Sequence, residues 1–129
     1  MVGIWAAYAN VFLYVCAAAI LIFFGIPLII APLRWAQVFR WDVRQGGDLT
    51  VMLGRSLGVL LSLVAVFAIR AAAVSQVKPF FFDMLLWLIA GMGILHAYGA
   101  IRRQQPKTET LEIILWVVLF ILTICFYPQ

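Results

Sequence analysis

Four unbroken apolar runs, each long enough to cross a lipid bilayer, constrain this chain more than any other feature. They cover about residues 4–30, 49–69, 80–101 and 111–127. A hydrocarbon core of about 30 Å is crossed by about 17–25 helical residues rising about 1.5 Å each. Barrel strands need only about 9–11 residues, so helices are the expected spanning elements. The remaining composition agrees: 67% of the 129 residues are apolar and 11% are charged. A soluble domain carries about 25% charged residues, and one this apolar would expose large sticky patches. The mean hydropathy is +1.12. The expected fold is all-α: an integral membrane four-helix up-down bundle, a single transmembrane domain over residues 1–129. The first run has no Lys or Arg before it and exceeds a signal-peptide core of about 7–15 residues. It is expected to remain as a membrane helix. Gly25 and Pro27 near its end mark a kink.

The connectors SQVKP and RRQQPKTET are short and favour antiparallel neighbours. The first connector, APLRWAQVFRWDVRQGGD, is longer. Pro32 suits a first helical turn. On a helix, Arg34, Gln37, Arg40, Trp41 and Arg44 share one side. This reads as a short amphipathic segment lying on the membrane over about residues 32–45, ended by Gly46 and Gly47. An irregular basic loop is the alternative. In the first reading Arg34, Trp35, Arg40, Trp41 and Arg44 touch the lipid interface, and the bilayer itself is the first partner. The other aromatic residues near the run ends fit interfacial belts.

Arg34, Arg40, Arg44, Arg102, Arg103 and Lys107 fall in the first and third connectors, against Arg70 and Lys78 in the second. The positive-inside rule then places both termini outside the cytoplasm, periplasmic in a bacterial inner membrane. The net charge of +4 serves orientation and anionic lipid, and no nucleic-acid partner is expected.

One charge falls inside a run: Arg55 in LTVMLGRSLGVLLSLVAVFAI. It lies roughly 9 Å in from the start of the second run. His96 reaches a similar depth in the third run, and Glu112 opens the fourth. A charge in hydrocarbon costs about 2.5–3.5 kcal/mol on insertion scales, so a cluster of Arg55, His96 and Glu112 is one expectation. Snorkelling of Arg55 to the interface is the other. Glu109 and Glu112 also suit a helix N-terminus without any partner. Asp83, close to Lys78, fits a surface ion pair or a similar dipole role. Gly54, Gly58 and Ser62 form a small-residue stripe, and Gly93 and Ala97 belong to a comparable face on the third run. Such faces let helices approach closely, which suggests that the second and third spans pack together.

Motifs for common enzymes are missing: there is no HExxH, GxSxG, P-loop or GxGxxG. With a single His, bis-histidine haem is impossible within the chain, and no metal or other cofactor is expected. Cys16 and Cys125 lie in unrelated apolar contexts and read as small hydrophobes. The arrangement LGRSLGVLLSLVAVFAI, then GILHAYGAI, then a glutamate opening the last helix resembles small bacterial four-helix proteins of the DoxX-like kind, over about Pro32 to Pro128. That resemblance implies a four-helix fold and transfers no catalytic residue. The leading functional expectation is a non-catalytic accessory or scaffold subunit of a larger inner-membrane complex, with protein partners or further copies of itself. The alternative is a small transporter or proton-handling protein using the Arg/His/Glu cluster.

Overall fold

The computed structural model describes residues 2–43 and 47–128. Arg44 and Gly46, both invoked above, lie outside the described residues. Those residues are largely helical and contain no strand. Four helical stretches are long and apolar enough to cross a membrane: Ala6–Ile30, Asp48–Ala73, Ser75–Ile101 and Lys107–Cys125.

The first stretch is composite. Helix α1 (Ala9–Ile20) passes into a π-helical turn (Leu21–Gly25) and then into α2 (Ile26–Ile30). Pro27 explains part of this. It has no N–H to offer the carbonyl four residues earlier, that of Phe23. The Trp35 indole Nε1–H supplies a donor instead, at 2.7 Å. Trp35 belongs to α3 (Pro32–Val38), which Pro32 opens at its first position. Its ring also packs against Phe24 and Phe39, at centroid distances of 5.7 and 4.5 Å. Trp35, read above as an interface residue, thus also ties α3 back to the kinked span.

Among the described residues of the amphipathic segment, only Pro32–Val38 are helical. Helix α3 stops at Val38 rather than at Gly46 and Gly47. Arg40 adopts a left-handed conformation (φ 64°). Its N–H bonds the Gln37 carbonyl while that of Trp41 bonds Ala36. This is a Schellman closure made without glycine. Helix α5 (Lys78–Ile101) ends identically: Arg103 has φ 53°, and the N–H groups of Arg103 and Gln104 bond Ala100 and Gly99. A left-handed L-residue costs about 1–2 kcal/mol. Arg103→Gly is therefore expected to raise stability by about 1 kcal/mol, measured by thermal unfolding in detergent. Arg103→Ala, which loses the same charge but keeps the strain, is expected to give no gain.

Helix α4 (Asp48–Ala73) runs past Ile69 and through Arg70. Hydropathy ends there, but the helix-forming residues do not, and Asp48 and Arg70 complement its dipole at opposite ends. Helix α6 (Lys107–Cys125) begins four residues before the apolar run and ends two residues short of Tyr127.

The described residues form two compact units, one of residues 2–12 and 71–128, the other of residues 13–70. In the second unit the α4 stripe approaches the first span. A Cβ on Gly58 would lie 2.8 Å from the Ile29 nitrogen and 2.9 Å from the Gly25 oxygen. A Cβ on Gly54 would meet the Pro32 ring at 2.5 Å, and one on Gly25 would meet Ser62 Oγ at the same distance. The stripe therefore makes its close approach to the first span, where the sequence suggested the third. The Ser62 hydroxyl returns its proton to the Gly58 carbonyl at 2.8 Å.

In the first unit α5 and α6 run antiparallel. Tyr127, just past the end of α6, donates to Asp83 near the start of α5 at 2.8 Å, and His96 near the end of α5 meets Glu109 near the start of α6. The N-terminal residues cover the last turn of α6, where Gly3 and Trp5 donate their N–H groups to Ile124 and Cys125. The Ile124 carbonyl also accepts from the Tyr127 N–H at 3.3 Å, and carbonyls of a last turn are those a helix leaves without an internal donor. Gly3 sits at φ 71°, a conformation that side chains disfavour. Phe12 stacks on Phe126 at 4.7 Å and packs against Phe82 at 6.0 Å.

Candidate functional site

Helical spacing explains how a histidine and two carboxylates come to face one another. On α5, Phe82, Leu85, Ile89 and His96 are buried and recur at steps of three, four and seven, one face of a helix. His96 occupies the last buried position of that face. On α6, Glu109, Glu112, Trp116 and Thr123 recur at steps of three, four and seven, again one face. The hairpin sets the two faces against each other and brings His96 level with the first turns of α6.

The contacts are specific. His96 Nε2 lies 3.1 Å from Glu109 Oε2 and 3.6 Å from Glu112 Oε2. The side chains of His96, Glu109 and Glu112 are 8%, 10% and 15% exposed. On the other side of the ring, Nδ1 lies 2.8 Å from the Met92 carbonyl. A carbonyl only accepts, so Nδ1 carries a proton and donates it. When the ring is neutral, Nε2 presents a lone pair toward the carboxylates. The Gln105 amide nitrogen donates to the His96 carbonyl at 3.0 Å and pins the connector over the end of α5. Trp116 walls one side, its ring centroid 5.5 Å from that of His96.

The expected trio is met in two of its three members. Arg55 is exposed on α4 and has no hydrogen-bond or ion-pair partner among the described residues. Its neighbours Gly54 and Gly58 turn toward the first span. Glu109 supplies the close contact to His96 instead. The signal for it was in the sequence: Glu109 and Glu112 are three residues apart, hence on one helical face. Reading Glu109 only as a charge that suits a helix N-terminus passed over this.

The other candidates are placed as follows. Gly93 of α5 approaches the Trp116 Cβ, which would lie 3.6 Å from an added methyl, and Ala97 is half-buried. Arg34, Arg40 and Trp41 are exposed, and Trp35 is half-buried. Asp83 is not paired with Lys78 but accepts from the Tyr127 phenol. That bond, to a negatively charged acceptor, raises the phenol's pKa above its ordinary value. A raised pKa means the folded state holds the proton longer than the unfolded one. The contribution to stability is then full below about pH 10, the unfolded tyrosine's range, and is lost as pH rises through the folded value. Tyr127→Phe is expected to flatten this part of the alkaline unfolding profile.

No protein-family model, curated protein or solved structure matches the chain.

Proposed function

We propose that this is a multi-pass membrane protein, its four spans arranged up and down, that handles a small cation at the His96–Glu109–Glu112 cluster. The carrying observation is the convergence of an imidazole and two carboxylates, all largely buried, between two apolar helices. Ionisable groups at membrane depth are expensive and mark ion pathways or relays. The excess of Arg and Lys in the first and third connectors supports a cytoplasmic position for this end of α5 and α6. It equally supports termini on the periplasmic side of a bacterial inner membrane. Arg34, Arg40 and Trp41, exposed on α3 and just beyond it, support lipid contact by this connector.

The test is cation flux into proteoliposomes, with a pH dye for protons and a metal-sensitive dye for divalent ions. The expected result is flux of one of them that Glu109→Gln with Glu112→Gln abolishes. Absence of flux of either ion, or flux indifferent to that double change, would remove this reading.

Apolar exposure favours a second reading, an accessory or scaffold subunit. Trp87, Ile101 and Phe80 are 81%, 80% and 73% exposed on α5, which offers either lipid or a neighbouring membrane helix an extended apolar face. Stoichiometric co-purification of other membrane proteins in mild detergent is the expected result on this reading. Recovery of the chain alone under several mild conditions would count against it.

A further inference from the structure

We infer that the His96–Glu109–Glu112 cluster is a binding site for one divalent transition-metal ion, held by His96 Nε2 and one oxygen of each carboxylate. The inference deepens the cation reading of the same residues, and it departs from the sequence expectation that no metal is bound.

Two carboxylates in the first turns of α6 have an ordinary explanation in the helix dipole, so they carry nothing alone. The orientation of His96 is the independent observation. Its Nδ1–H is committed to the Met92 carbonyl at 2.8 Å. A metal-ligating histidine almost always donates its other ring N–H in this way, to a carbonyl, a carboxylate or water. The bond fixes the tautomer and aims the Nε2 lone pair along the line to Glu109 and Glu112. Lone pair and carboxylate oxygen at 3.1 Å repel unless a cation lies between or beside them.

A proton can bridge two of these atoms, but the structure brings three together. All three ligand atoms lie within 4.8 Å of one another. With metal–ligand bonds of about 2.0–2.1 Å, tetrahedral geometry places neighbouring ligand atoms about 3.3 Å apart. The separations of 3.1 and 3.6 Å from Nε2 bracket that edge. Charge agrees as well: a neutral imidazole with two carboxylates carries two negative charges, which a dication neutralises. Three protein ligands leave at least one coordination position open, the pattern of exchangeable rather than purely structural sites. The mixed nitrogen and oxygen donors favour Zn2+ over Mn2+, and both over Mg2+, which prefers an all-oxygen shell.

The test uses the full chain in detergent or nanodiscs, stripped with chelator and equilibrated with Zn2+, with bound metal counted by mass spectrometry. One Zn2+ per chain is expected. His96→Ala and the Glu109→Gln, Glu112→Gln pair should each weaken binding by at least about 100-fold, since losing an outer partner alone costs about 10–100-fold. Co2+ gives a readout on the unaltered protein: intense visible d–d absorption is expected, displaced by one equivalent of Zn2+. The inference is overturned if the unaltered chain binds neither ion, or if the variants bind as tightly as it does. The two readings separate cleanly. Proton flux without metal binding removes the metal site and keeps the cation role, whereas Zn2+ bound at equilibrium without any flux does the reverse.

Discussion

Gly58→Ala is expected to destabilise the protein by about 3 kcal/mol, the upper end of ordinary overpacking. A single methyl has this effect because of what it would strike. Its nearest neighbours are the Ile29 nitrogen and the Gly25 oxygen, which are backbone atoms and cannot rotate away. To relieve the clash the whole of α2 must retreat from α4. A small-residue stripe acts by letting helices pack closely, so retreat forfeits the contacts of the entire stripe. Gly91 provides the control. It too lies within a long apolar helix, but no described residue stands within 4 Å of an added Cβ. Gly91→Ala is expected to be neutral or to stabilise by up to about 1 kcal/mol through the helix preference of alanine. Gly25→Ala falls between them, because its obstacle is the Ser62 hydroxyl, and Ser62→Gly is expected to restore part of the loss. Unfolding in detergent measures all four. Equal effects at Gly58 and Gly91 would show that the stripe does not set the α2–α4 approach.

This contrast also shows what a linear sequence conveys about such a chain. The four long apolar helices were legible because apolar runs of that length have few other uses. The small-residue stripe was legible because Gly54, Gly58 and Ser62 repeat at four-residue spacing. Its partner was not, since many faces accept a small stripe and only the fold selects one. Helix ends were misjudged where hydropathy and helix formation part company. Arg70 ends an apolar run but not a helix, and Lys107 begins a helix before the apolar run. Glu109 was passed over for another reason: the helix dipole accounts for an acidic residue at a helix N-terminus without any partner. Distance from the connector correctly put His96 and Glu112 level. It carries no information about direction around the helix, which is why it did not reveal that Arg55 is exposed, with no partner among the described residues, while Glu109 is buried against the imidazole. The two Schellman closures were equally hidden, since arginine gives no warning of a left-handed backbone.

His96→Leu, measured in the presence of chelator, is expected to cost about 3–5 kcal/mol, the usual penalty for removing one member of a buried ionic group. With chelator present a proton takes the cation's place between Nε2 and a carboxylate oxygen, so the imidazole is the partner that both carboxylates share. Without it Glu109 and Glu112 face an apolar side chain and each other, in a site where little water can replace what was lost. The size of the effect should therefore depend on the carboxylates rather than on the volume of the imidazole. Replacing Glu109 and Glu112 by Gln removes both charges with little change in shape. In that background His96→Leu should cost clearly less, so that the combined loss falls short of the sum. Strict additivity would mean that His96 stabilises the α5–α6 hairpin by packing against Trp116 alone. The same cycle repeated with Zn2+ present separates the two parts of the argument. Metal binding to the native state adds stability that only the intact cluster can gain, so the coupling between His96 and the two carboxylates should widen with Zn2+ and stay fixed with Mg2+.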